Sequence, residues 1–166
     1  SLGEGAEILA DTYGITREQQ DEFAFNSHRK AAAAWDRGAF ADEVVAMEEL
    51  ERDENIRADT TLEKLGQLKP VFRPDGSITA GNACPLNDGA AAVMVMSDTK
   101  AKQLGITPLA RIVSSGVTGL NPEIMGLGPI EASRQALARA GMTIDDIDLV
   151  EINEAFAAQV IPSAKH

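Results

Sequence analysis

The sequence predicts an α/β protein in which helices layer against a mixed or parallel sheet. Three observations carry that prediction. Beyond residue 70, short apolar blocks alternate with helical stretches, the pattern of strands connected by helices. Residues 90–97 form a run of small and β-branched residues that suits a buried strand. Residues 129–140 carry full helix punctuation: Pro129 at the first turn, Glu131 near the positive end, Arg139 near the negative end and Gly141 as C-cap.

Taken in order, residues 4–13 place Ala6, Ile8, Leu9 and Tyr13 near helical spacing, and Gly14 stops the helix. Thr16-Arg17-Glu18-Gln19 is a capping box and opens a second helix. Its stripe runs through Phe23, Ala24, Ser27, Ala31, Ala34 and Trp35, and Gly38 ends it. Val44, Val45 and Met47 predict a short strand, and residues 48–59 a charged, solvated loop. A short helix over 61–68 closes at Pro70. Residues 78–81 are extended and lead into a loop punctuated by Gly81, Pro85, Asn87 and Gly89. A helix over 99–104 stops at Gly105, and strands are predicted at 110–117 and 148–153. The last helix opens at 155–160.

Composition narrows the function classes. The 166 residues carry a net charge of −11, with 44% hydrophobic, 25% charged and only 4% aromatic residues. That is ordinary globular usage, with a core to be built from aliphatic side chains. The acidic balance disfavours non-specific nucleic-acid binding, which rests on cationic contacts to phosphate. The longest apolar run, residues 90–96, is far short of the roughly 18 needed to span a membrane. The N-terminus does not read as a secretory signal, and it lacks an initiator Met, as expected of a stretch from inside a longer protein. With one cysteine, an intrachain disulfide or a Cys-rich zinc site is ruled out, and no metal site is expected. A reducing, cytoplasmic setting follows as the expectation. Residues 1–70 hold a net −8 and residues 71–166 a net −3, a shift that coincides with the change from charged helices to Gly-punctuated blocks.

Few residues offer chemistry. Cys84 sits in the tight loop Gly81-Asn82-Ala83-Cys84-Pro85, where backbone amides can lower a thiol pKa. It reads either as a nucleophile or as a small packed hydrophobe. His28 lies mid-helix and His166 is terminal, and nothing in the sequence pairs either with a nucleophile. Glu151, Asn153 and Glu154 stand where a predicted strand gives way to a helix, and functional groups collect at such carboxyl ends. Asn153 can hold a water or carbonyl oxygen through its amide, or serve as the helix N-cap.

Four stretches resemble one family. They are Thr79-Ala80-Gly81-Asn82-Ala83-Cys84-Pro85-Leu86-Asn87-Asp88-Gly89-Ala90-Ala91-Ala92, Met125-Gly126-Leu127-Gly128-Pro129, Asn153-Glu154-Ala155-Phe156-Ala157-Ala158, and the helical Gly14-Ile15-Thr16-Arg17-Glu18-Gln19-Gln20-Asp21-Glu22-Phe23-Ala24. The first three, in this order, resemble the thiolase family, the 3-ketoacyl-CoA thiolases and acetyl-CoA acetyltransferases, and the fourth is similar to that family's helical insertion. The resemblance covers the whole chain. It implies part of a layered α-β-α-β-α thiolase fold: residues 1–70 in the helical loop domain, 71–105 ending the N-terminal half and 106–166 starting the C-terminal half.

The implied reaction splits a 3-ketoacyl-CoA with coenzyme A, or condenses in reverse, through an acyl-enzyme on a cysteine. Coenzyme A is then a co-substrate, and no cofactor is implied. By position, Asn153 matches an oxyanion-hole asparagine. Met125 and Phe156 match residues lining the acyl and pantetheine pocket, and Ala80 and Cys84 the loop along the pantetheine arm. Phe72 resembles an aromatic beside it, and Arg57 an arginine that approaches the CoA nucleotide.

The departures are equally informative. Cys84 stands where many members have Ser, and Ser1-Leu2 where some have His-Met. The family nucleophile is expected upstream of these residues, and the Gly-His-Pro and second cysteine segments downstream. The resemblance thus implies an internal piece of an acyltransferase, inactive alone, with degradative chemistry favoured and a homodimeric or homotetrameric parent. The other reading is a non-catalytic thiolase-like module that binds acyl-CoA or a protein partner. A truncated sheet would leave apolar strands uncovered and favour aggregation, whereas a self-contained module would not.

Overall fold

The structure, a computed structural model, describes residues 1–166. Its elements are α1 (Leu2–Tyr13), α2 (Arg17–Asp36), α3 (Leu62–Gly66), α4 (Asp98–Leu104), α5 (Gly128–Ala140) and α6 (Ala157–Lys165), with 3-10 turns at Pro122–Leu127 and Ile144–Asp146. Local chemistry explains where the helices begin and end. Ser1 and Glu4 form a capping box that starts α1, and Thr16 and Gln19 form the one that starts α2. Thr61 and Ser97 cap α3 and α4 through their hydroxyls. Gly14, Gly105 and Gly141 end α1, α4 and α5 in the left-handed conformation that glycine adopts without penalty.

The packed centre lies along α1. Ala6 and Ala10 bury one face of it, with Ile15, Ile78 and Ala158 closing a small cluster flanked by Ala83, Phe156 and Ile161. Small side chains let α1 lie close to the Pro122–Leu127 turn and to α6, and α2 packs on α3 and α6. Gly5 faces the Glu123 carbonyl oxygen, and Gly126 faces Leu9 and Gln159 at distances where a Cβ would be crowded. The 3-10 turn can therefore settle onto α1 and α6 only because both positions lack a side chain.

The layered α/β arrangement expected from the sequence is not present among these residues. Pairing is limited to isolated antiparallel bridges, Met47 with Leu50 and Ala83 with Phe156. The strands expected at 44–47, 90–97, 110–117 and 148–153 do not form. The reason is that a strand, unlike a helix, satisfies its backbone only against a neighbour. No backbone–backbone hydrogen bond reaches residues 85–96, 107–120 or 148–154. The expected burial fails with the pairing: Val93 is 87% and Leu149 85% exposed. Only 20 of 166 residues are buried, so the core is confined to the helical side.

One unpaired segment still docks by side-chain contacts. Ser114 Oγ donates to the Ala136 carbonyl at 2.7 Å and Arg139 Nη1 to that of Ser115 at 2.6 Å, which holds residues 114–116 along α5. Gly116 lies so close to the Ala132 carbonyl that a Cβ would collide with it and crowd the Ala136 nitrogen. Gly116→Ala is expected to push the segment off α5, at about 1–3 kcal/mol for overpacking against backbone. Urea unfolding checks the magnitude, and a drop in amide protection confined to α5 checks the place.

Candidate functional site

The site begins with a buried carboxylate. Glu7 on α1 is almost fully buried and accepts from the Ser77 N–H, the Ser77 hydroxyl and the Ile78 N–H at 2.9–3.1 Å. The loop after Pro74 is thereby tied to α1. Gln20 on α2, also buried, donates to Ser77 Oγ at 2.9 Å. The buried Asn82 completes the loop. Its Oδ1 accepts from the Thr79 N–H at 2.8 Å, and its Nδ2 donates to the Ser77 carbonyl and to Asp21 Oδ1. Asp21 is in turn paired with Arg17 at 2.8 Å, and Arg17 also donates to the Leu65 and Leu68 carbonyls. A buried charge is tolerated where its oxygens are hydrogen-bonded, and each oxygen of Glu7 and of Asp21 accepts at least one bond in this chain.

The loop so held presents residues 82–84 to the start of α6. The Cys84 N–H donates to the Ala155 carbonyl at 2.9 Å, and the Ala157 N–H to the Asn82 carbonyl at 3.0 Å. This short seam fixes Phe156, whose ring meets Phe72 edge-on with centroids 6.3 Å apart. Beside it opens a cleft of about 290 Å³ between α1, the Pro122–Leu127 turn and the residues before α6. Met125, Asn153 and Phe156 all line it, so three of the residues singled out from the sequence converge there. Phe72 backs Phe156 and packs over Gly3. Asn153 does not cap α6; Phe156 occupies the cap position and leaves the Asn153 amide exposed at the cleft.

The remaining sequence candidates lie outside the cleft. Ala80 and Cys84 are exposed on the loop, with Cys84 a free thiol. Arg57 is exposed beside α2, where its N–H donates to His28 Nδ1 at 3.2 Å. Ser27, the preceding residue of α2, donates to Glu154 Oε2 at 2.6 Å. Adjacent residues of one helix therefore hold the Arg57 segment and the neighbour of Asn153. Burial, then the Arg57 charge, push the His28 imidazole below its ordinary pKa, while Glu154 partly offsets them.

Sequence reasoning missed Gln159, Ile152 and Leu9 as further parts of the lining. For Gln159 a signal existed, since it follows Phe156 by one helical turn. A broader, polar groove of about 400 Å³ lies between α1, residues 73–77 and the start of α2. Its cations are already paired, Arg17 with Asp21 and Arg73 with Asp11. No group of three or more His, Cys, Asp or Glu residues is arranged to hold a metal ion, and no helix is long and apolar enough to cross a membrane.

Chemically, the cleft offers an aromatic wall, aliphatic floor and two amide side chains, Asn153 and Gln159, without any ionisable side chain among its lining residues. It is built to bind and orient a slender, largely apolar ligand bearing a polar group, rather than to move protons by itself.

Residues 1–99 match the family model for the N-terminal domain of thiolase, and residues 106–166 that for its C-terminal domain. A 3-ketoacyl-CoA thiolase of Idiomarina loihiensis is 55% identical over 99% of the chain, and an acetyl-CoA acetyltransferase of Pseudomonas aeruginosa 53% over 95%. The chain spans less than half the length of these relatives, 45% and 42%. Among solved structures, Bacillus anthracis acetyl-CoA acetyltransferase matches with a TM-score of 0.93 at 49% identity, over 99% of this chain and 44% of that one. Human mitochondrial 3-ketoacyl-CoA thiolase in complex with CoA matches at 0.94 and 45% identity, over 99% and 42%. With both family models matched in order along nearly its entire length, the chain belongs to the thiolase family.

Proposed function

We propose that this chain supplies part of the acyl-CoA site of a thiolase that cleaves 3-ketoacyl-CoA with coenzyme A, or condenses acetyl-CoA. The observation that carries the reading is the convergence of Met125, Asn153 and Phe156 on one apolar cleft. An acyl or pantetheine arm fits the aliphatic and aromatic walls. The Asn153 amide, free of a capping role, suits a water or thioester oxygen that gains negative charge during acyl transfer. Phe72 supports the Phe156 ring, and the Ala80 and Cys84 loop borders the arm. The Arg57 guanidinium has no ion pair and is free for phosphate or adenine. Residues 1–70 form the loop-domain part, 71–105 end the N-terminal half and 106–166 begin the C-terminal half.

Within these 166 residues the only cysteine is Cys84, exposed on the loop and outside the cleft. The 166-residue chain on its own is therefore read as binding without turnover, with the Cys acyl-enzyme formed in the larger protein. Coenzyme A serves as co-substrate and no cofactor is invoked. Degradative lipid chemistry, a cytoplasmic setting (in keeping with a free thiol) and a homodimeric or homotetrameric whole protein complete the proposal.

Calorimetric titration with CoA and acetoacetyl-CoA tests it. Binding is expected, weakened roughly tenfold in Phe156→Ala, as a lost aromatic contact of about 1–1.5 kcal/mol implies. A thiolysis assay on the same chain is expected to give no turnover. Absence of CoA binding overturns the assignment of the cleft. Turnover that Cys84→Ala abolishes overturns the claim of inactivity and makes Cys84 the nucleophile.

A further inference from the structure

We propose that His28 is a positioning residue for Arg57, fixing the backbone of that arginine only while its imidazole is unprotonated. The inference rests on the proposed role of Arg57 for its functional meaning, and on geometry alone for its structural content. The Arg57 N–H donates to His28 Nδ1, so Nδ1 must carry a lone pair and the ring must be the neutral tautomer with its proton on Nε2. Arg57 lies in the irregular stretch between α2 and α3, and its guanidinium has no hydrogen-bond or ion-pair partner to orient it. Apart from the local turn bond from the Thr60 N–H to the Arg57 carbonyl, the bond to His28 is what ties the arginine to α2.

Two charged groups act on the ring from the elements around it. Arg57 opposes protonation and Glu154, held by Ser27, favours it. On its own helix, Arg29 is drawn away over the Phe25 ring, 5.5 Å from its centroid. Protonation at Nδ1 turns the acceptor into a donor facing another donor, and it adds a positive charge beside Arg57. Both changes release the arginine segment.

The sign follows from burial and Arg57 holding His28 below its ordinary value of 6.5. Between the lowered folded value and 6.5 the unfolded chain binds more protons than the folded one. The stabilisation is therefore fully present above 6.5 and is lost as pH falls through the folded value. Anion binding by Arg57 should weaken over the same window.

The test compares the chain with His28→Asn, whose Oδ1 can accept in place of Nδ1 but does not titrate, and with His28→Leu, which cannot accept. Amide exchange is followed at Arg57 by NMR across the His28 titration and corrected for intrinsic pH dependence. Protection in the parent chain is expected to fall about fivefold as His28 protonates, the loss of one neutral hydrogen bond. It should stay constant in His28→Asn and be low at every pH in His28→Leu. Arg57 protection that ignores His28 protonation, or that survives in His28→Leu, overturns the proposal. A parallel CoA titration should show several-fold weaker binding on acidification in the parent than in His28→Asn; equal weakening in both also counts against it. If CoA binds at no pH, the acyl-CoA reading fails while the Arg57 exchange data still decide this inference.

Discussion

Glu7→Leu is expected to be the most destabilising single substitution, costing about 3–5 kcal/mol. The carboxylate is buried on the α1 face that meets the 77–78 loop, and both of its oxygens accept from that loop. A leucine fits the volume but leaves the buried Ile78 amide and the part-buried Ser77 amide without their acceptor. Unsatisfied buried donors cost roughly 1–3 kcal/mol apiece, and the lost charge-assisted bonds add to that. Glu7→Gln keeps one acceptor oxygen and turns an NH2 toward the amides, so about half the loss is expected. Urea unfolding of the three proteins gives the comparison. Stability unchanged in Glu7→Leu would show that water reaches the 77–78 amides and that the carboxylate is not what holds them.

Asn82→Ala comes second, at about 2–4 kcal/mol, and its effect on the cleft is the more telling. The side chain satisfies the Thr79 N–H, the Ser77 carbonyl and Asp21 at once. Without it the loop that carries residues 82–84 loses its internal brace. The seam to α6 should then open, and the Cys84 and Ala157 amides are the reporters because each spans it. Their exchange should quicken more than that of α1 amides. Asn82→Asp discriminates further: its oxygen can still accept from Thr79, but it faces the Asp21 carboxylate. It should destabilise at least as much as Asn82→Ala, because the oxygen it places beside Asp21 Oδ1 cannot donate as the amide does. Seam amides that stay protected in Asn82→Ala would show that backbone pairing alone holds the loop.

What could be read from the sequence was whatever neighbours along the chain decide. The Thr16–Gln19 capping box, the glycines after α1, α4 and α5, and Pro129 opening α5 each act within a turn, and each sits where the pattern placed it. The apolar runs at 90–97, 110–117 and 148–153 mark a β preference, but a ladder needs a second strand, and none faces them among these residues. The buried polar brace was invisible for the opposite reason. As polar side chains Glu7, Gln20 and Asp21 read as solvent-facing, even though Gln20 shares the stripe of Ala24, Ser27 and Ala31, and only the 77–82 loop, some 60–70 residues away in sequence, supplies the partners that bury them. The cleft was partly legible because the motifs around Met125 and Asn153 to Phe156 supply its walls. Its remaining wall, the Leu2 to Leu9 face of α1, looked like ordinary helix.

The seam between residues 82–84 and 155–157 also has a kinetic consequence. It closes a loop of roughly 70 residues, and the chain entropy of bringing such ends together is on the order of 4 kcal/mol. Helices α4 and α5, which lie inside that loop, depend on near neighbours and can form first. The ligand cleft is then among the last features assembled. Its two sides stay at a high effective concentration only because the intervening chain tethers them. A cut anywhere between residues 85 and 154 would turn closure of the cleft into an encounter between two separate polypeptides.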